Sequence, residues 1–189
     1  MDKLDGKGIA STTVLSLVAV IAIAGIAAFA VMQIGTPTTS PTTTYGTLYF
    51  AVTDRPNAIG DFATLNVTVS KISVHSAGDN LENTWLDFTP STSTFDVVSL
   101  ENGGVQTLLS TPLQTGSYTQ VRLVVDNAVG ILEIGGTENI TVPSGELKLV
   151  QSFQIEENKT TTFVFDLNVV KTGDNAYMLE PVAGKVTTQ

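Results

Sequence analysis

The sequence predicts an all-β protein, a β-sandwich of about eight to ten strands preceded by one N-terminal transmembrane or leader helix. Three observations lead there. From Tyr45 onward, apolar residues recur with a period of two, as in strands that bury one face. Turn signals rich in Gly, Pro and Asn interrupt that pattern at short intervals. Ahead of it, residues 9–34 carry no charge, and Val14–Met32 is apolar apart from Ser16.

Taken in chain order, residues 1–8 form a short polar leader or cytoplasmic tail. Residues 9–34 follow as the apolar segment, which at about 1.5 Å per residue crosses a hydrocarbon layer of about 30 Å with some tilt. Lys3 and Lys7 precede it, and no Lys or Arg follows until Arg55, so the positive-inside bias puts the N-terminus in the cytoplasm and the rest outside. An uncleaved anchor is one fate for such a segment. A secretory signal cut after Ala28-Phe29-Ala30 is another, although its apolar stretch exceeds the usual length of about 7–15 residues. A third rests on Lys7-Gly8 standing directly before Ile9-Ala10-Ser11-Thr12-Thr13. This N-terminus resembles archaeal type IV pilin-like precursors, whose polar leader ends in Lys-Gly or Arg-Gly ahead of the apolar helix. The resemblance covers the leader and apolar run only. It implies cleavage after Gly8, with Lys7, Gly8 and Ile9 as the cleavage site.

Residues 35–44 hold the run TPTTSPTTT, which has no apolar side chain beyond its proline rings and cannot join a core. It reads as a stiff linker or O-glycosylated stalk. The domain then occupies residues 45–189. Leu48, Phe50 and Val52 alternate with polar or small neighbours, as do Leu65, Val67 and Val69. The phase slips to Ile72 and Val74, which predicts a β-bulge near Ser70–Lys71. Val121, Leu123 and Val125 form a further strand, as do Phe163, Phe165, Leu167 and Val169. Turns are expected at Arg55-Pro56-Asn57, Gly78-Asp79-Asn80, Asn102-Gly103-Gly104, Gly135-Gly136, Pro143-Ser144-Gly145 and Gly173-Asp174-Asn175, with one helical turn around Val105–Ser110.

Several motifs in this domain belong together: Gly46-Thr47-Leu48 leading to Val52-Thr53-Asp54-Arg55-Pro56, then Phe95-Asp96-Val97-Val98-Ser99-Leu100, and Gly116-Ser117-Tyr118-Thr119-Gln120-Val121-Arg122-Leu123. Val142-Pro143-Ser144-Gly145, Phe165-Asp166-Leu167 and Leu179-Glu180-Pro181-Val182 complete the set. In these the chain resembles the family catalogued as domain of unknown function 4382. The resemblance implies a secreted or surface-held β-sandwich and no particular chemistry.

Composition narrows the function. With no cysteine, disulfides, thiolate catalysis and Cys-based metal sites are excluded. The net charge is −9, and Asp2 and Asp5 balance Lys3 and Lys7, so the whole excess lies beyond the linker. Such a domain repels phosphate backbones, and no nucleic-acid partner is expected. His75 is the only histidine and no nucleophile motif accompanies it, nor is there a phosphate-binding glycine loop.

Acidic residues remain as candidates. Asp54 at a strand end and Asp79 in an oxygen-rich loop are the metal candidates. Calcium is the cation such oxygens would take, and no other cofactor is expected. Asp96, Arg122 and Asp166 fall on polar phases of strands and read as structural polar residues, with a cross-strand ion pair as their role. Trp85 reads as a core residue, or as a sugar-stacking platform with Tyr49, Tyr118 or Tyr177. Asn66, Asn139 and Asn158 each begin an N-glycosylation sequon. The expected function is that of a non-catalytic cell-surface binding or structural module on a membrane anchor. Its partners would be the membrane, surface glycans or further copies of itself. The alternatives are a pilin-like filament subunit and a secreted carbohydrate-active hydrolase using paired carboxylates.

Overall fold

The computed structural model describes residues 42–54, 58–78, 81–173, 176–182 and 184–189, which belong to the compact unit Ser40–Gln189. Lys7, Gly8 and Ile9, the apolar segment and Asp79 lie outside the described residues. Among the described residues no helix is long and apolar enough to cross a membrane.

Eleven strands make up the domain. They are β1 (Tyr45–Asp54), β2 (Phe62–Ala77), β3 (Trp85–Phe88), β4 (Thr94–Asp96), β5 (Gln106–Gln114) and β6 (Gly116–Leu132). They continue with β7 (Thr137–Asn139), β8 (Glu146–Ile155), β9 (Thr160–Lys171), β10 (Tyr177–Pro181) and β11 (Lys185–Thr188). In the first sheet β1 lies between β5 and β9, and β10 and β11 follow one another along the far side of β9. The second sheet is built on the long antiparallel pair β2–β6. β3 and β4 share the free edge of β2, and β7 and β8 share that of β6. The count exceeds eight to ten because three of the four sheet edges are each split into two short strands. Splitting an edge interrupts the row of open N–H and C=O groups that invites pairing with another chain. β1 and β9 run parallel, from Thr47 opposite Thr160 to Asp54 opposite Leu167, while every other strand pairing among the described residues is antiparallel, with one isolated parallel bridge between Thr141 and Met178.

The alternating residues close the space between the sheets. Leu48, Phe50, Val52, Phe163, Phe165, Leu167 and Val169 line the first, and Leu65, Val67, Ile72, Val74, Val121 and Leu123 line the second. An aromatic chain joins them. Phe50 stacks on Phe163 at 5.5 Å, Phe163 meets Phe153 of β8 edge-on at 5.2 Å, and Phe153 stacks on Tyr118 at 5.2 Å. The buried Tyr118 hydroxyl donates to the Gln114 carbonyl at 2.8 Å, and burial pushes its pKa up to about 12.

The bulge expected near Ser70–Lys71 is present, as a register shift between Val69 and Lys71 that keeps both Val69 and Ile72 buried. The expected helical turn is displaced. A short 3-10 turn spans Val98–Gly103, and Val105–Ser110 leads into and lies largely within β5. Asn102 and Gly103 there take positive φ (60° and 89°), which ends the turn and turns the chain into the strand.

Candidate functional site

The outer face of the second sheet gathers aromatic and charged side chains in register. Trp85, His75, Gln120 and Val150 lie opposite one another across β3, β2, β6 and β8. The next row is Asp87, Ser73, Arg122 and Lys148, and the one beyond is Lys71, Val124 and Glu146. Neighbouring strands are about 4.8 Å apart, so these groups share one continuous surface. The Arg122 guanidinium lies 3.7 Å from the Trp85 ring centroid, a cation–π stack, and His75 meets the same indole at 4.9 Å and 65°. Trp85 is therefore not a core residue. Its register opposite His75 puts it on the outer phase, while Leu86 packs against the core.

Hydrogen bonds hold the surrounding charges. Asp87 accepts from Ser73 Oγ at 2.6 Å and from Lys71 Nζ at 3.1 Å. Those bonds, the serine's first, draw its pKa below the ordinary aspartate value. Lys148 bonds Glu146 at 3.0 Å and lowers that carboxyl in the same way. Arg122 has no such partner. Its Nε is shielded from water and has no hydrogen-bond partner among the described residues, while its charge helps lower the Asp87 and Glu146 carboxyls. The three rows carry Lys71, Arg122 and Lys148 against Asp87 and Glu146, and Asp126, which accepts from Ser70 Oγ at 2.6 Å, continues the outer phase of β6 beyond Val124.

The other candidates are dispersed. Tyr118 and Tyr177 are buried and Tyr49 is on the first sheet, so none joins Trp85 in a platform. Arg122 belongs to β6 in the second sheet and Asp166 to β9 in the first, so the two are not cross-strand neighbours. Asp166 stands opposite Thr53. Asp96 is a structural brace, its Oδ1 accepting from the backbone N–H of Leu65 at 2.8 Å and of Val98 at 3.1 Å. Asp54 is 5% exposed, on the same inward phase as Leu48, Phe50 and Val52, where a solvated turn position was expected. Among the described residues no group of three His, Asp or Glu is placed to hold a metal ion. Asn66, Asn139 and Asn158 are all exposed. Asn139 borders a surface depression of about 350 Å³ that contains neither an aromatic nor a basic side chain.

A second polar cluster was not foreseen. Asp61, just before β2, accepts from the Tyr177 hydroxyl at 2.6 Å and from Lys171 Nζ at 3.1 Å, beside a depression of about 250 Å³. These bonds lower the Asp61 pKa, the tyrosine's most, and raise that of Tyr177, while Lys171 is raised by Tyr177 first and by Asp61 second. All three groups satisfy one another, so the cluster ties β9 and β10 to the segment entering β2. A depressed carboxyl contributes stability above its unfolded pKa and loses it as pH falls through the folded value. Melting temperature should therefore fall less steeply below about pH 4 in Asp61→Asn than in the wild type, a small difference because the carboxyl is half exposed. Thermal melts from pH 2 to about 6 check this, and parallel curves would show that the tie contributes nothing.

The sequence model of the family described as "Domain of unknown function (DUF4382)" matches residues 45–181. The chain belongs to the DUF4382 family. The DUF4382 match begins at the first residue of β1 and ends at the last of β10, so every strand but β11, and the Trp85–Arg122 face with them, lies inside it. No curated protein sequence matches this DUF4382 chain. A solved structure from Bacteroides eggerthii DSM 20697, described as that of a "putative cell adhesion protein", is similar at 12% identity with a TM-score of 0.35. The match covers 77% of this chain and 54% of that one, so this chain spans about half the length of that relative.

Proposed function

We propose that this DUF4382 protein is a non-catalytic cell-surface module that binds its ligand across the outer face of the second sheet. Residues 9–34 hold it at the cytoplasmic membrane with the domain outside. The observation that carries this is the Arg122–Trp85 stack, an aromatic ring and a cation displayed together on a four-strand surface. A face preorganised in this way loses little conformational freedom on binding. The absence of catalysis is supported by the carboxylates there. Ser73 and then Lys71 lower the Asp87 pKa, Lys148 lowers that of Glu146, and neither is suited to be the protonated partner of an acid–base pair.

The test is a glycan array probed with the full-length chain in mild detergent. Binding to at least one glycan class is expected, with no release of reducing ends, and Trp85→Ala should lower the apparent affinity about tenfold. An array with no bound glycan, or hydrolysis of a bound one, overturns the reading.

The Lys7-Gly8-Ile9 sequence favours a second reading, a pilin-like subunit cleaved before Ile9. The mature N-terminus by mass spectrometry separates the possibilities. Ile9 supports the filament subunit, Met1 the simple anchor and Val31 a secreted form. The exposure of Asn66, Asn139 and Asn158 supports their use as glycan acceptors outside the cell, which the same spectra detect as added mass.

A further inference from the structure

We infer that the ligand of this face is a carboxylate-bearing polysaccharide, whose acid group pairs with Arg122 while its sugar ring packs at Trp85. The inference rests on the binding reading above and specifies the ligand chemistry. Its basis is the charge arrangement. Lys71 and Lys148 each have a bonded carboxylate, Asp87 at 3.1 Å and Glu146 at 3.0 Å, so Arg122 is the cation of these rows without one among the described residues. The guanidinium presents planar donors suited to a bidentate carboxylate. Its Nε is shielded from solvent, so a carboxylate would meet the two terminal nitrogens. Stacking on the indole restricts the orientation of the donor plane.

A neutral polymer would contact the ring but leave those donors unmatched. A densely charged polyphosphate would meet the chain's net charge of −9. A polysaccharide with one carboxylate per sugar places a single charge against a single guanidinium and offers ring C–H faces to the indole.

Affinity electrophoresis of the full-length chain in detergent tests this, with gels containing polygalacturonate, alginate, methyl-esterified polygalacturonate, dextran or polyglutamate. The acidic polysaccharides should retard the protein, and the ester, dextran and polyglutamate should not. Retardation should weaken as ionic strength rises. Arg122→Gln should lower the apparent affinity about tenfold or more. Lys148→Gln, an exposed change that leaves the stack in place, should lower it by a smaller factor. Lys185→Gln, on the first sheet, should leave it unchanged. Melting curves show which variants are folded, and if Arg122→Gln unfolds, Lys148→Gln carries the test. Equal retardation by the methyl ester or dextran removes the acidic ligand and leaves the binding face standing. Equal retardation by polyglutamate makes the partner an acidic peptide and overturns the proposal. Full affinity in both Arg122→Gln and Lys148→Gln, or an equal loss in Lys185→Gln, overturns it as well. No retardation by any polymer, with an empty glycan array, removes this inference and the binding reading together.

Discussion

Phe163→Ala should destabilise the domain by about 3–5 kcal/mol, a large part of the roughly 5–15 kcal/mol that holds a typical domain folded. Phe163 is fully buried in the first half of β9 and touches the rings of Phe50 and Phe153. Truncation removes the ring that joins the first sheet to Phe153 and, through it, to Tyr118 of the second. The cavity left behind cannot easily collapse, because β9 is paired on one side with β1 and on the other with β11 at this position. Urea unfolding of Phe163→Ala beside Val164→Ala, one residue along on the outer phase, checks the size and the location. A loss below about 1.5 kcal/mol at Phe163, or one no larger than at Val164, would mean that the rings do not join the sheets as described.

Gly46→Ala should cost about 1–3 kcal/mol, although Gly46 is in a strand rather than a loop. A Cβ at this position would stand 2.2 Å from the Glu156 carbonyl oxygen and 2.9 Å from that of Lys159. Both obstacles are backbone, and the turn that carries them is tied to β1. Thr47 N–H donates to the Lys159 carbonyl at 2.8 Å, and Asn158 N–H to that of Tyr45 at 3.0 Å. The turn cannot retreat without breaking these bonds. Hydrogen exchange should show lost protection at Thr47 and Asn158, with β2 and β6 amides retaining theirs. Full protection at both amides, with unchanged stability, would show that the turn does not lie against β1.

The strands with strict alternation were readable because only one phase of each is apolar, and the slip from Val69 to Ile72 announced its bulge. β5 was not readable for a related reason. Leu108 and Leu109 are adjacent and both buried, because the pairing with β1 jumps from Phe50–Leu109 to Ala51–Thr107 and leaves Leu108 as an extra residue. A doubled apolar pair hides the period of two and suggests a helical turn. The Trp85 face was missed in a different way. Either phase of Trp85-Leu86-Asp87-Phe88 makes a plausible inner face, and only pairing with His75 decides between them. The polar phase of Arg122 was legible, but its neighbour was not, because β3 and β6 meet across β2 and are far apart in sequence. Asp54 shows the limit from the other side. Its inward phase is that of Leu48, Phe50 and Val52, and its charge disguised the fact.

The placement of β1 bears on how the domain withstands mechanical load. Tension reaching Tyr45 from the upstream chain pulls along β1, which is an interior strand laced to β5 on one flank and to β9 on the other. Pulled lengthwise, such a strand cannot peel away one rung at a time. Its ladders on both flanks are sheared together and must yield almost at once. Resistance to a steady tug is governed by the rate of that single rupture rather than by equilibrium stability. A load applied along β1 is therefore shared by both of its ladders.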